Sequence, residues 1–267
     1  MSRHALVEPA KAFSLKDFPV EPPAKTERDD IQEKTLPLLE ELGQLQDKLY
    51  ACRKGSVLLI LQGMDTSGKD GTIRRVFGVL TPLGISLHAF KQPTAQELAH
   101  DFLWRAHMRT PERGFLGIFN RSYYEAVVSD YVQGMIDEVE RDRRCKHIRD
   151  FEEMLRENGT QVVKCFLHIS KDEQKERLVK RLEDPTKFWK ISKADISSRK
   201  DWSKYQQAYA DAIARTSTTT APWYIIPADK KWYRDHAVAE IMVEVLRAID
   251  PEYPPMSEKI TVADIPD

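Results

Sequence analysis

Apolar runs of strand length alternate with longer stretches of helical periodicity along this chain. The apolar runs stand at 56–61, 85–90, 115–119, 162–169 and 223–226. The first is apolar almost throughout, which is typical of a strand buried on both faces of a sheet. Because strands and helices alternate, the pattern predicts an α/β fold with a parallel sheet and helices on both faces.

Seven stretches around these runs are each predicted to form one helix. The first carries a leucine every three or four residues from Leu36 to Leu49, and Pro37 marks a start or a kink within it. The predicted helices span 29–53, 72–80, 95–108, 123–149, 171–182, 195–215 and 233–249. A polar, proline-broken segment at 183–192 lies between two of them and has the composition of a loop that folds over a ligand.

The chain is expected to divide into three parts. Its 267 residues suffice for one large domain or two small ones. An N-terminal arm over 1–28 is polar and carries Pro19, Pro22 and Pro23, which favours an ordered but irregular conformation. The main domain is expected over 29–250 and a C-terminal tail over 251–267.

Composition and charge exclude several classes of protein. With 41% hydrophobic residues, the chain can bury a sizeable core, and no apolar run approaches the length of a membrane span. A total of 41 lysines and arginines against 42 acidic residues argues against a bulk-basic nucleic-acid binder. Cys52, Cys145 and Cys165 have no metal-ligand spacing, and together with the absence of a signal peptide they predict free thiols in the cytoplasm.

The clearest chemical motif is the sequence GMDTSGKDGT at 63–72. It has the G-x-x-x-x-G-K pattern of a phosphate-binding loop (P-loop), and Lys69 is expected to reach the terminal phosphates. Asp70 replaces the Ser or Thr that usually binds magnesium, and Asp65 could hold the metal instead. An ordinary glycine-rich turn is the alternative. The other loop residues expected to bind phosphate are Gly63, Met64, Thr66, Ser67, Gly68, Gly71 and Thr72.

A second candidate lies at the end of the apolar run 115–119. Asn120 follows the run and offers a neutral oxygen to a metal, where P-loop proteins usually place a carboxylate. Arg121 comes next and is expected to point into the crevice at the carboxyl ends of the strands, where open α/β sheets bind ligands. The alternative is a strand end with a surface arginine.

A third candidate is a basic cluster between 171 and 200, where ten lysines and arginines stand against six acidic residues. Arg177 and Arg181 are four residues apart on one helical face, and Lys187 and Lys190 follow in the proline-broken segment. Several cations that face one crevice suit a polyanionic ligand. A solvated helix face is the alternative reading of such a charge run.

Five segments in this order resemble the family-2 polyphosphate kinases. The resemblance implies a P-loop kinase fold like that of thymidylate kinase, with three α/β/α layers, a central parallel sheet and a helical lid at about 177–200. It also implies magnesium-dependent phosphoryl transfer between inorganic polyphosphate and a nucleotide, with manganese as an alternative metal. The matching segments are GMDTSGKDGT, FKQPTAQELAHDFLWRAH, IFNRSYYE, RLEDPTKFWKIS and APWYIIPADKK.

The resemblance also implies roles for particular residues. Asp65 and Asn120 would hold the metal, Lys69 the transferring phosphate, and Arg121 would bridge donor and acceptor phosphates. Arg177 and Arg181 would contribute to the same phosphate contacts from the lid helix as catalytic residues. Further residues at matching positions are Lys187 and Lys190 in the lid segment, and Lys91, Asp229 and Lys230.

The acceptor is predicted from the segment FNRSYYE. Members limited to nucleoside diphosphates usually resemble FDRSWYN here, whereas Asn120 and Glu125 resemble the single-domain branch that phosphorylates AMP and ADP. That branch tends to place an acidic residue where Ala126 stands. AMP, ADP and ATP are therefore the expected nucleotides, and the family often forms homodimers or homotetramers.

Four alternatives remain open at this point. One is a P-loop nucleotide kinase with ATP as the donor, and another is a polyphosphate kinase limited to nucleoside diphosphates. The third is a nucleotide-binding switch without turnover, which would leave the basic cluster without a purpose. A polyphosphate-binding scaffold would leave the P-loop unexplained.

Overall fold

A mixed six-stranded sheet forms the centre of the molecule. The structure, a computed structural model, describes residues 5–7, 13–258, 260–261 and 264–266. The strands in chain order are β1 Ala5–Val7, β2 Ser56–Gln62, β3 Ile85–Ala89, β4 Leu116–Asn120, β5 Thr160–His168 and β6 Trp223–Pro227. Their spatial order is β1-β6-β5-β2-β4-β3.

The five longer strands run parallel, as the alternation of strands and helices predicts. In the middle of the sheet, Leu59 of β2 lies opposite Ile118 of β4 and Val163 of β5. β1 pairs with β6 in the antiparallel direction, with Leu6 opposite Tyr224. No strand is predicted at this edge, because the arm is expected to be irregular, and that expectation is wrong at residues 5–7. A three-residue strand carries too short a pattern to be recognised, and its partner lies more than 200 residues away.

Ten α-helices lie within the described residues. They are α1 Arg28–Cys52, α2 Lys69–Thr72, α3 Ala95–Leu98, α4 Trp104–His107, α5 Glu125–Val132, α6 Glu138–Glu157, α7 Lys171–Leu182, α8 Lys193–Lys200, α9 Trp202–Thr216 and α10 Lys231–Ile249. The π-helical segment Ile73–Phe77 continues α2, and single 3-10 turns occur at Leu15–Asp17, Pro82–Gly84 and Pro185–Lys190. None of the helices among these residues is long and apolar enough to cross a membrane.

Three of the predicted helices are each two helices, because capping side chains or a local change of backbone conformation interrupt them. The Asp101 carboxylate accepts hydrogen bonds from two backbone amides and separates α3 from α4. Gly134, at a φ of +72°, and Asp137, which caps the N-terminus of α6, separate α5 from α6. Asp201 ends α8 directly before α9 begins. The helix predicted at 72–80 starts earlier, at Lys69.

The core has two halves, one on each face of the sheet. Leu58 and Ile60 of β2 belong to one half, which includes side chains of α5, α6 and α9. Leu59 and Leu61 belong to the other, which includes side chains of α1 and α10. Because successive side chains of a strand point to opposite faces, the unbroken apolar run fills both halves. The structure confirms the three-layer α/β/α fold.

Candidate active site

The P-loop connects the carboxyl end of β2 to α2. Three of its residues have left-handed backbone conformations: Gly63 at a φ of +149°, Thr66 at +65° and Gly68 at +107°. A Cβ atom on Gly68 would lie 1.8 Å from the Arg234 Nη1 atom, so only glycine fits there. The loop therefore has the tight, inward-turned backbone that a phosphate-binding loop needs.

Lys69 is buried at the base of the loop. Its Nζ atom donates hydrogen bonds to the Gly63 carbonyl at 2.8 Å and to the Met64 carbonyl at 3.3 Å. Burial, assisted by the charge of Arg121, lowers the pKa of Lys69 to about 8, although nearby carboxylates oppose the shift. The protein itself thus desolvates the ammonium group in part, and a phosphate beside it would stabilise the charged form.

Arg121 lies between two carboxylates at the end of β4. Its Nη2 atom is 2.7 Å from the Asp65 Oδ1 atom, and its Nη1 atom is 4.0 Å from the Glu125 Oε2 atom. Arg121 has a φ of +61°, and its backbone N–H donates to the Leu61 carbonyl of β2. The guanidinium is thereby positioned next to the P-loop, as predicted for a group in this crevice.

Asp70 is the point where the P-loop, β4 and the lid segment meet. The Asn120 Nδ2 atom donates to the Asp70 Oδ1 atom at 2.8 Å, and the Lys190 Nζ atom is 3.8 Å from the Asp70 Oδ2 atom. Lys190 ends the 3-10 turn Pro185–Lys190, so the basic lid segment reaches the P-loop in this structure.

The oxygen atoms here suit a hard divalent cation. Asp65 and Asp70 contribute carboxylates, and the amide of Asn120 donates through nitrogen, which leaves its oxygen available. Among the described residues, no three His, Cys, Asp or Glu side chains group as a metal cage. Mg²⁺ rarely needs such a cage, because one or two carboxylates and the phosphates of the substrate usually hold it. The donor set fits a metal shared with a phosphate ligand.

The basic residues of the lid region have different surroundings. The Arg181 Nη1 atom donates to the Lys190 carbonyl at 2.7 Å, and the Lys187 Nζ atom is 2.6 Å from the Asp184 Oδ2 atom. Arg177 is almost buried, and its guanidinium donates to the P-loop carbonyls of Thr66 and Ser67. Arg177 therefore borders the site but directs its donors at protein atoms.

A basic cavity of about 560 Å³ brings most of these predicted residues together. Eleven lysine and arginine side chains line it, against three aspartates. Six of the eleven are predicted from the sequence. The five that are not predicted are Arg74, Arg75, Lys180, Lys231 and Arg234. Lys231 and Arg234 follow the carboxyl end of β6, so the same strand-end rule that identified Arg121 could have found them.

A second cavity of about 730 Å³ adjoins the first. Its walls are richer in aromatic rings and include the predicted residues Lys91 and Glu125. Asp65 and Arg121 line both cavities, so the two spaces meet at this ion pair. The aromatic residues of the second cavity are Phe90, Phe102, Tyr123, Trp189, Tyr205 and Tyr209.

Four predicted residues lie outside both cavities. Thr72 donates its hydroxyl to Asp235, and Ser67 is fully buried. The Asp229 Oδ1 atom accepts a hydrogen bond from the Ser170 amide at 2.8 Å. The Lys230 Nζ atom lies 3.2 Å from the Glu21 Oε1 atom.

The parallel sheet, the P-loop at its carboxyl edge and the adjoining basic cavity define a protein of the P-loop kinase class. The sequence pattern of the family described as Polyphosphate kinase 2 (PPK2) matches residues 25–254. The chain belongs to this family, as its resemblance at five segments predicts.

Related proteins and a solved structure agree with this assignment. An AMP/ADP-polyphosphate phosphotransferase of Meiothermus ruber is 45% identical over 96% of this chain and 98% of its own length. An ADP-polyphosphate phosphotransferase of Rhodopseudomonas palustris is 42% identical over 81% and 79%. The crystal structure of polyphosphate kinase 2 from Arthrobacter aurescens TC1 superposes with a TM-score of 0.89 at 42% identity, over 96% of each chain.

Proposed function

We propose that this protein transfers phosphoryl groups from inorganic polyphosphate to AMP and ADP. The observation that carries the proposal is the pair of adjoining cavities that share Asp65 and Arg121. One is strongly basic, which suits a polyphosphate chain, and the other has aromatic walls, which suit a nucleotide. A kinase with two phosphate-bearing substrates needs such a junction between them.

The reaction requires positioning and charge neutralisation. An oxygen of the terminal nucleotide phosphate attacks the terminal phosphorus of polyphosphate, and the P–O bond to the next phosphate breaks. Lys69 of the P-loop and Arg121 beside the loop would stabilise the charge on the transferring group. Arg181, Lys187 and Lys190 would neutralise the chain from the lid side. No covalent enzyme intermediate is needed.

Magnesium is the proposed metal, with manganese as an alternative. Asp65 and Asn120 would hold it through their oxygen atoms, and the Asp70 carboxylate would be a third ligand. When bound, the metal neutralises phosphate charge. Asp65 also pairs with Arg121, so this ion pair keeps both side chains beside the P-loop.

Acceptance of both AMP and ADP is supported by two observations. Asn120 and Glu125 stand in the segment FNRSYYE that resembles the AMP- and ADP-phosphorylating branch. The Meiothermus ruber relative, which matches almost the whole chain, is named for both acceptors. The cytoplasmic location, the homodimeric or homotetrameric assembly and the lack of nucleic-acid or membrane partners stay predictions.

One assay tests the function directly. Purified protein with ADP, polyphosphate and magnesium, and no other donor, is expected to form ATP, and AMP in place of ADP is expected to form ADP. The variant K69A is expected to lose at least about a thousandfold in turnover, because a central cation is removed from the transferring phosphate.

The matched control is K175A, which removes an exposed lysine of α7 that lines neither cavity. Its turnover is expected to equal that of the wild type. ATP synthesis that depends on a nucleoside triphosphate donor, or near-normal turnover by folded K69A, would contradict the proposal.

A further inference from the structure

The outward face of the P-loop is held mainly by side chains of one helix, α7, and Arg234 of α10 adds one hydrogen bond to the Ser67 carbonyl at 3.3 Å. For the loop amides to face a phosphate, the carbonyls of the same peptide units must point away from it. The Gln174 Nε2 atom of α7 donates to the Asp65 carbonyl at 3.0 Å. One turn further along, the Arg177 Nη1 atom donates to the carbonyls of Thr66 at 2.9 Å and Ser67 at 3.1 Å. Three successive loop carbonyls are thus bound from α7.

The remaining donors of Arg177 also go to protein atoms. Its Nη2 atom donates to the carbonyls of Ala228 at 2.7 Å and Asp229 at 2.9 Å, and its Nε atom to the Glu173 carboxylate at 2.7 Å. These three bonds and the two to the loop carbonyls account for all five N–H groups of the guanidinium. Since Arg177 is only 8% exposed, it has no donor left for a phosphate in this arrangement.

The loop needs this support because its backbone is strained at the same place. Thr66 has a φ of +65°, a conformation that residues with a side chain rarely adopt without external constraint. The carbonyl of Thr66 accepts one of the Arg177 hydrogen bonds. Arg177 also joins the loop to the turn after β6, so it ties together two segments about 160 residues apart.

The same helix leads into the lid segment. Arg181 lies one turn beyond Arg177 on α7 and donates to the carbonyl of Lys190. Lys190 in turn lies near Asp70 of the P-loop. Loop and lid are therefore both attached to one rigid helix, through side chains four residues apart.

We propose that Arg177 and Gln174 are positioning residues that hold the P-loop in its phosphate-binding conformation before any ligand binds. This differs from the direct phosphate contact that the resemblance implies for Arg177. The kinetic consequence rests on the proposed phosphotransferase function, whereas the effect on the loop itself does not.

Hydrogen exchange of the ligand-free protein tests the proposal. In R177A and R177K, the amides of residues 63–72 are expected to exchange about tenfold faster or more, because the loop opens locally when the Thr66 carbonyl loses its partner and the Ser67 carbonyl keeps only Arg234. R177K keeps the charge but has only three donors on one atom, so it cannot reproduce the five bonds. Q174A, which removes one bond, is expected to have a smaller effect at the same residues. A residue that only touches phosphate would leave exchange in the free protein unchanged.

Binding and rescue supply the second measurement. R177A is expected to bind tripolyphosphate at least about tenfold more weakly, and millimolar guanidinium ion is expected to restore much of the affinity by filling the vacated site. Control variants are K175A on the same helix and R156A, an exposed arginine paired with Glu153. Both are expected to exchange and bind as the wild type does.

The outcomes separate the two proposals. Unchanged exchange in the loop of R177K and R177A, together with weaker tripolyphosphate binding, would overturn the positioning role and indicate direct contact. If the wild type makes no ATP from polyphosphate, the proposed function fails, while exchange still decides the role of Arg177. If R177A does not fold, R177K and Q174A carry the exchange test.

Discussion

Lys69 shows how the surroundings of one residue set the conditions under which the site binds phosphate. Burial and the neighbouring Arg121 lower its pKa to about 8, well below the ordinary value for lysine. The charged form therefore dominates below pH 8 and is lost as the pH rises above it. Since a neutral amine attracts a phosphate weakly, affinity follows the protonated fraction.

We expect tripolyphosphate affinity to be retained below about pH 8 and to fall above it, by about tenfold per pH unit at most. Calorimetric titrations across this range measure the effect. In K69R the guanidinium keeps its proton throughout, so this component of the pH dependence should vanish. An equal fall in K69R would mean that a group other than Lys69 titrates.

Gly68 is constrained by its neighbour as well as by its backbone. The variant G68A combines a φ of +107° with a Cβ atom 1.8 Å from the Arg234 guanidinium, so the loop or Arg234 must move. We expect loss of phosphate binding and of turnover in a protein that still folds.

The matched control is G134A. Gly134 has a φ of +72° but no atom within 4 Å of the added Cβ, so the control measures backbone strain alone. It should cost about 1 kcal/mol of stability and leave turnover intact. Equal activity in G68A and G134A would show that the contact with Arg234 is not limiting.

At the scale of elements, a buried ion pair joins β5, α6 and the segment that carries Arg121. The Lys164 Nζ atom lies 2.6 Å from the Glu152 Oε2 atom and donates to the Thr216 carbonyl at 2.8 Å. Tyr123 and Tyr124 donate their hydroxyls to the Glu152 Oε1 atom. Burial lowers the pKa of Lys164, which shows how strongly the ammonium depends on its partner.

The variant E152Q is expected to lose about 3–5 kcal/mol in the free energy of unfolding, because it leaves the Lys164 charge unpaired in the core. Denaturant unfolding measures this loss, and the double variant E152Q/K164M should recover much of it. E153Q removes the partner of Arg156 on the surface of the same helix and should cost less than about 1 kcal/mol. A loss in E152Q as small as that in E153Q would contradict the buried-pair argument.

At the scale of the whole molecule, charge is separated by region. The chain has a net charge of −1, yet eleven cations face one cavity against three aspartates. Parallel strands cause this concentration, because their carboxyl ends, with the segments that follow, share one edge of the sheet. Acidic segments elsewhere, such as 235–267 with eight acidic and two basic residues, offset the basic site in the total.

Much of the fold followed from patterns between near neighbours in the chain. The unbroken apolar run of β2, the P-loop after it and Arg121 after β4 could be placed from sequence because strand burial and turn geometry are local properties. The same holds for α7, whose bounds Lys171–Leu182 agree with the prediction. Breaks within helices were missed, since capping at Asp101 and Asp137 competes with a continuing helical pattern.

By itself, the sequence determined the alternation of the five longer strands with helices, the phosphate-binding loop and the membership of the polyphosphate kinase 2 family. Only the tertiary structure decided that β1 completes the sheet, that Lys231 and Arg234 face the basic cavity, and that Arg177 binds the loop. Each of these depends on contacts between segments far apart in the chain. Local periodicity does not predict such contacts, because they form only when the sheet brings its strand ends together.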